Sequence, residues 1–274
     1  MSISSIVHNL HSKAVGFWRN CLTPRQFYLG EAAALDAVIL SSAAILARAV
    51  DYIPSWTSPF HGCLVIAGCV SAHLAYRHWI LVPSIRKQIQ KAVLASKGKT
   101  SSMLVIRGKE NTSTDFISYS ALDFFQKSSK NYSIDLITPN SQLPWDGNWI
   151  HKKYDRIDIT AHGTNKSIEI TSACKLSKDS KKEIQWIASH IKKGGVIALN
   201  CCSAAEGAEN IARALSRSCP QVSVRGPEAA IDGDFCIDYS RDGIPNYSDG
   251  ALCRKKNITR TYVNGTLVGS RRRK

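Results

Sequence analysis

Between residues 103 and 225, short runs of β-branched residues alternate with amphipathic stretches of about a dozen residues, and few folds accept that pattern. Residues 103–108 (MLVIRG) read as a buried strand ending in glycine, and residues 114–130 as a helix with Phe116, Ile117, Ala121, Leu122, Phe124 and Phe125 on one broad face. Strands follow at 133–138, 154–161, 196–200 and 221–225, with helices at 180–191 and 206–216 between them. Ile184, Ile187, Ala188 and Ile191 line one helix, and Ile211, Ala212 and Leu215 the other. Strand, helix, strand in succession means βαβ units, so the expected class is α/β: a three-layer, mostly parallel sheet flanked by helices. Near the C-terminus, residues 258–263 and 266–270 flank Asn264-Gly265, a dipeptide suited to the positive φ angles of a two-residue turn. A β-hairpin is expected there, extending one edge of the sheet.

The section before this body has a different character. Of residues 37–76 only Arg48 and Asp51 are charged. Two apolar stretches, 32–50 and 61–82, are each long enough to cross a bilayer core, which takes about 20 helical residues. Asp51 to Phe60 between them carries two prolines and aromatics, the marks of an interfacial turn. Lys13, Arg19 and Arg25 precede the first stretch and Arg86, Lys87 and Lys91 follow the second, while the turn has no Lys or Arg. The positive-inside rule then places both termini in the cytoplasm and makes the chain a two-span membrane protein. The apolar run starts too far in, and lacks the small-residue site, for a cleaved signal peptide. Residues 91–102 turn small and polar and read as a linker. The expected organisation is a helical region at 1–99 with a membrane hairpin, then an α/β domain at 100–274.

Charge and cysteine usage narrow the function. The chain carries a net +15, but residues 100–253 hold as many acids as Lys and Arg, so the excess sits on the flanks. A nucleic-acid reader would show a basic, aromatic stripe across its folded body; flanking positive charge suits anionic lipid instead. Nine cysteines without a CxxC pair in 274 residues form neither a disulfide scaffold nor a structural zinc site. No Gly-x-Ser-x-Gly, P-loop or Gly-x-Gly-x-x-Gly occurs, which disfavours serine hydrolases, NTPases and dinucleotide enzymes. No metal or cofactor is expected.

Chemistry in a parallel sheet collects beyond the carboxyl ends of its strands. Two strands here end in reactive groups: one in His162-Gly163, the other in Cys201-Cys202. Were they neighbours, an imidazole and a thiol would share one edge. A cysteine opening the following helix would also feel its N-terminal dipole, and dipole and imidazole together lower a thiol pKa. Glycine after the histidine admits substrate closely and offers its N–H to an oxyanion. Side chains alternate along a strand, so the two cysteines face opposite ways. Cys201 reads as a small core hydrophobe and Cys202 as the nucleophile.

An apolar strand ending in His-Gly, then a helix, then an apolar strand ending in a small residue and Cys resembles the caspase-like cysteine peptidases. TAHGT and LNCCSAAEGAENIARAL are most similar to the CHAT-type domains among them. The resemblance spans about residues 103–228. It implies that Cys202 attacks a scissile carbonyl as thiolate and that His162 protonates the leaving amine without a third residue to orient it. The Gly163 and Cys202 N–H groups would form the oxyanion hole, and Asn200 would line the pocket for the residue before the scissile bond. Asp232 or Asp234 would supply a preference for a basic residue there. Cys201 stands where relatives carry Ala or another small residue. The leading expectation is thus a membrane-anchored cysteine endopeptidase cleaving a protein or peptide, the chain itself included. The alternatives are an inactive membrane-anchored α/β interaction module and a thiol hydrolase of another kind.

Overall fold

A computed structural model describes residues 82–108, 119–138, 143, 145, 150–171, 174–231, 237–240, 244–249 and 256–270. The chain divides into two compact units, Met1–Lys87 and Gln88–Lys274. The apolar stretches expected as a membrane hairpin, the interfacial turn and the basic residues before them lie outside the described residues. Among the described residues, no helix is long and apolar enough to cross a membrane.

The second unit is built on a seven-stranded sheet. The elements in chain order are α1 (Val82–Ala95), β1 (Ser101–Arg107), α2 (Tyr119–Ser128), β2 (Tyr132–Ile137), β3 (Tyr154–Thr160), β4 (His162–Gly163), β5 (Ser167–Thr171) and β6 (Cys174–Ser177). There follow α3 (Lys181–His190), β7 (Ile191–Asn200), α4 (Ile211–Ser218), β8 (Ser223–Pro227) and β9 (Ile237–Tyr239). Last come β10 (Pro245–Asp249), β11 (Lys256–Asn257), β12 (Thr259–Val263) and β13 (Thr266–Ser270). The large sheet runs β13-β12-β8-β7-β3-β1-β2, with every pairing from β8 to β2 parallel. The chain therefore leaves β1 in one direction for β2 and in the other for β3, β7 and β8. That reversal is the place where a parallel sheet opens a crevice beyond its strand ends.

The mostly parallel sheet flanked by helices is as the alternation of elements required. The C-terminal hairpin is also where expected: Asn264 and Gly265 take φ of 48° and 71°, and β12 pairs antiparallel with β8, closing that edge. Several boundaries differ, among them the start of β7, expected at residue 196 and found at Ile191. The stretch read as a linker is the last turn of α1 as far as Ala95, then a turn at Gly98 (φ 86°), then the start of β1. The strand expected to stop at Arg225 runs on through Gly226-Pro227, because antiparallel pairing with β12 holds those two residues in place. The helix expected from residue 206 begins only at Ile211.

The two faces of the sheet are chemically unlike. One carries Ile157, Ile159, Ala161, Ile197, Leu199 and Cys201, packed with Ile184 and Ile187 of α3 and Ile211 and Leu215 of α4. On the other face, alternation in β3 places Arg156, Asp158 and Thr160. Phe124 of α2 and Tyr247 of β10 lie on this side; the Arg156 guanidinium sits 5.6 Å from the Phe124 ring centroid. A parallel strand buried on both faces usually reads as a continuous apolar run. The charged residues of β3 break that rule just below its carboxyl end.

Candidate active site

β3 and β7 are hydrogen-bonded neighbours in the register Ile157↔Ile197, Ile159↔Leu199 and Thr160↔Asn200. His162 and Cys202 each lie two residues beyond that last pair, so they occupy equivalent positions on strands about 4.8 Å apart. Alternation assigns both to the polar face, in line with Thr160 and Asn200.

Gly163 locks the two strand ends together. A Cβ on this residue would stand 2.8 Å from Cys201 Cβ and 3.3 Å from the Cys202 carbonyl oxygen, so the backbone following His162 lies directly on the cysteine pair. Gly163 belongs to β4, which pairs antiparallel with β5 as His162↔Glu169 and Gly163↔Ile168. The Thr164 N–H donates to the Ser167 carbonyl (2.8 Å). The ladder's alternation then makes Gly163↔Ile168 a non-hydrogen-bonded pair and turns the Gly163 N–H away from β5.

The two cysteines are physically distinct. Cys201 is fully buried (0% exposed) and its Sγ donates to the Ile159 carbonyl at 3.5 Å. Burial pushes its thiol far above the ordinary range, so it stays protonated and unreactive. Cys202 is partly exposed, and its Sγ donates to the Ile231 carbonyl at 3.4 Å. The next residue, Ser203, has φ 55°, a left-handed conformation that ends the strand abruptly; its N–H is tied to the Ala229 carbonyl. Cys202 thus rides the crest of a tight turn.

One expected source of thiol activation is removed. Cys202 does not open a helix: turns occupy residues 201–209, and α4 starts after its N-cap Asn210, whose side chain accepts from the Arg213 N–H at 2.8 Å. The first N–H groups of α4 are already spent, Ile211 on the Asn165 carbonyl (2.9 Å), Ala212 on the Ala204 carbonyl (3.1 Å) and Arg213 on the Asn210 side chain, so none is left to face a thiolate at residue 202. The sequence AEGAENIA looks helical in composition. Asn210 nonetheless donates to the Ala205 and Gly207 carbonyls, and Gly207 takes φ 77°; together these hold the preceding stretch as a turn.

Asn200 is 4% exposed. Its Oδ1 accepts from the Tyr247 hydroxyl (2.7 Å) and its Nδ2 donates to Thr160 Oγ1 (3.2 Å). It is a braced wall of the polar face, with its amide committed to neighbours. Asp232 and Asp234 lie outside the described residues.

The polar face holds residues that sequence reading did not single out. Its rows across the sheet are Val105–Asp158–Ala198–Arg225, then Arg107–Thr160–Asn200 one step nearer the strand ends, then His162–Cys202 at the edge. Arg156 and Asp158 form a fully buried pair, with Nε–Oδ1 at 2.5 Å and Nη2–Oδ2 at 2.6 Å. Burial pushes the Asp158 carboxyl up, and the adjacent guanidinium offsets this only in part. Burial, with help from the Arg156 charge, pushes the Arg225 guanidinium down, and its buried Nε has no hydrogen-bond partner among the described residues. Three arginines thus share this face with one acid from the central strands, among the described residues. The signal was present in YDRIDITA, where charged residues alternate with apolar ones inside a central strand.

Among the described residues no three His, Cys, Asp or Glu side chains are grouped to hold a metal ion. Comparison of the chain with protein-family models, with curated proteins and with solved structures found no match.

Proposed function

We propose that this chain is a membrane-anchored cysteine endopeptidase of the caspase-like type, acting on a protein substrate through His162 and Cys202. The observation that carries the reading is the register: an imidazole and a partly exposed thiol at equivalent ends of adjacent parallel strands, on one face of the sheet. Helices on both faces, the reversal of strand order at β1 and β3, and the small antiparallel sheet that begins at His162-Gly163 all support it.

The chemistry follows from the groups present. The Cys202 thiol loses its proton to His162, and the thiolate sulfur bonds to the scissile carbonyl carbon. The carbonyl oxygen gains charge and accepts from the Gly163 and Cys202 N–H groups. The C–N bond then breaks as the imidazolium gives its proton to the leaving amine. Water, deprotonated by the neutral imidazole, attacks the thioester and releases Cys202. Asp232 or Asp234, in the stretch after β8, would supply a preference for a basic residue before the scissile bond. Anchoring rests on the apolar stretches 32–50 and 61–82 and their basic flanks.

A second reading, an inactive interaction module, draws on one contact: the Cys202 Sγ donates to the Ile231 carbonyl. Alkylation and turnover separate the two. In the peptidase, a haloacetamide modifies Cys202 first and well below pH 8. Cys202→Ala removes turnover of a peptide library, while Cys201→Ala keeps most of it. Even labelling of all thiols, with no turnover, leaves the inactive module.

A further inference from the structure

β2 ends the large sheet on one side, and its parallel pairing with β1 uses only one of its two edges. The Ile134 N–H donates to Ser96 Oγ (3.0 Å) and the Ile134 carbonyl accepts from Lys97 Nζ (3.0 Å), so both backbone groups of Ile134 point away from β1. In a parallel ladder the N–H and carbonyl of one residue face the same side, and that side alternates along the strand. Leu136 therefore also presents its N–H and carbonyl outward, and among the described residues neither has a hydrogen-bond partner. The turn after α1 closes this edge at Ile134 and leaves it open at Leu136. A cavity of about 720 Å³ lies here, lined by Leu136 and Ile137 of the edge and by Ile150, His151 and Lys152 of the segment leading into β3. Its charge is unbalanced. Lys97 and Lys152 both reach Asp135 (2.9 and 2.6 Å), and the Tyr154 hydroxyl donates to the same carboxylate (2.9 Å). Among the described residues neither lysine has another acidic partner, so two ammonium groups share one carboxylate and a unit of positive charge faces the groove. Exposed Lys153 adds to it.

We infer that this edge is a docking groove for an extended, acidic segment of a partner protein, which joins the sheet as a strand beside β2. The segment's backbone pairs with the N–H and carbonyl of Leu136, which gives it direction and register. Its carboxylate meets Lys97 and Lys152, where the closed edge at Ile134 stops the pairing. A second copy of this chain is a poorer occupant, because pairing β2 edge to edge brings two unneutralised basic clusters into one interface. An anionic lipid headgroup answers the lysines but leaves both Leu136 groups unpaired. The groove does not depend on the peptidase reading: β2 is two places from β3 in the sheet, and none of its residues belongs to the His162–Cys202 edge.

The test uses the full chain and short labelled peptides of alternating Val and Thr that end in Asp-Asp or in Lys-Lys. Fluorescence anisotropy should show saturable binding of the Asp-ended peptide, at least about tenfold tighter than the Lys-ended one, and Lys152→Glu should reverse that preference. Copies of the Asp-ended peptide N-methylated at alternate residues keep the charge but lose backbone pairing, and at least one of the two phases should bind about tenfold more weakly. This arm needs no variant of the protein, so it holds even if Lys152→Glu fails to fold. Hydrogen exchange at the Leu136 amide should slow when the Asp-ended peptide is bound. Several results overturn the inference: no saturable binding, equal binding of the methylated copies, or an unchanged Leu136 amide. Vesicles containing phosphatidylserine that bind through Lys152 where the peptides do not would make the surface a lipid contact instead. A dimer that protects the Leu136 amide without any peptide would make the occupant a second copy.

Discussion

At the scale of single residues, the site is governed by very small spaces. Gly163 is needed because its missing Cβ is where Cys201 Cβ already lies, at 2.8 Å. Gly163→Ala must push β4 away from the cysteine turn, and a displacement on the order of 1 Å at a reacting pair costs about 100-fold in rate. Steady-state kinetics of that variant beside a thermal melt will separate misplacement from unfolding: activity should fall far more than Tm. The difference between Cys201 and Cys202 is equally local, one side chain sealed in the core and its neighbour turned to the open edge by strand alternation. A charge cluster away from the site makes a pH prediction. Burial alone would raise the Asp135 carboxyl, but hydrogen bonds from Lys152, Lys97 and Tyr154 outweigh it and hold the group below its usual value. A folded-state pKa below the unfolded one adds stability that is complete above about pH 4 and lost as pH falls through the folded value. Asp135→Asn should therefore lower Tm at pH 7, and the gap from the wild type should close as the melts are repeated toward pH 2.

Elements set the positions that single residues then exploit. The helices at 181–190 and 211–218 and the strands β1, β2, β3 and β7 were legible because each buries a periodic apolar face, as with Ile184 and Ile187 or Ile211 and Leu215. The start of α4 was not legible. Residues 206–210 have helical composition, and hydrogen bonds of Asn210 to the Ala205 and Gly207 carbonyls and, across the fold, to the Tyr262 hydroxyl help to hold them as a turn. Asn210 is at once N-cap and anchor for that turn. Asn210→Ala should cost at least about 1 kcal/mol, the usual worth of a cap. Chemical denaturation will show a larger loss if the anchoring bonds add to it, and no loss would mean that the turn is held elsewhere. The β4-β5-β6 sheet was also hidden, since β4 has two residues and no pattern can form over so short a length.

For the whole molecule, the alternation of strands and helices already demanded a mostly parallel sheet with helices on both faces. The reversal of strand order between β1 and β3 puts the crevice next to His162. The proposed anchor belongs to this scale as well. Two spanning segments at 32–50 and 61–82 should keep the intact chain in the membrane pellet through alkaline carbonate extraction; release into the supernatant would show that the apolar stretches pack elsewhere. Hydrophobic periodicity is a local property, so the fold class, the C-terminal hairpin and the pair His162 and Cys202 as strand-end residues were decided by amino-acid order alone. Which strands are neighbours, and in what register, is a long-range matter with no local signature. Only tertiary packing brought residues forty positions apart level with each other and gathered Arg107, Arg156 and Arg225 on one face.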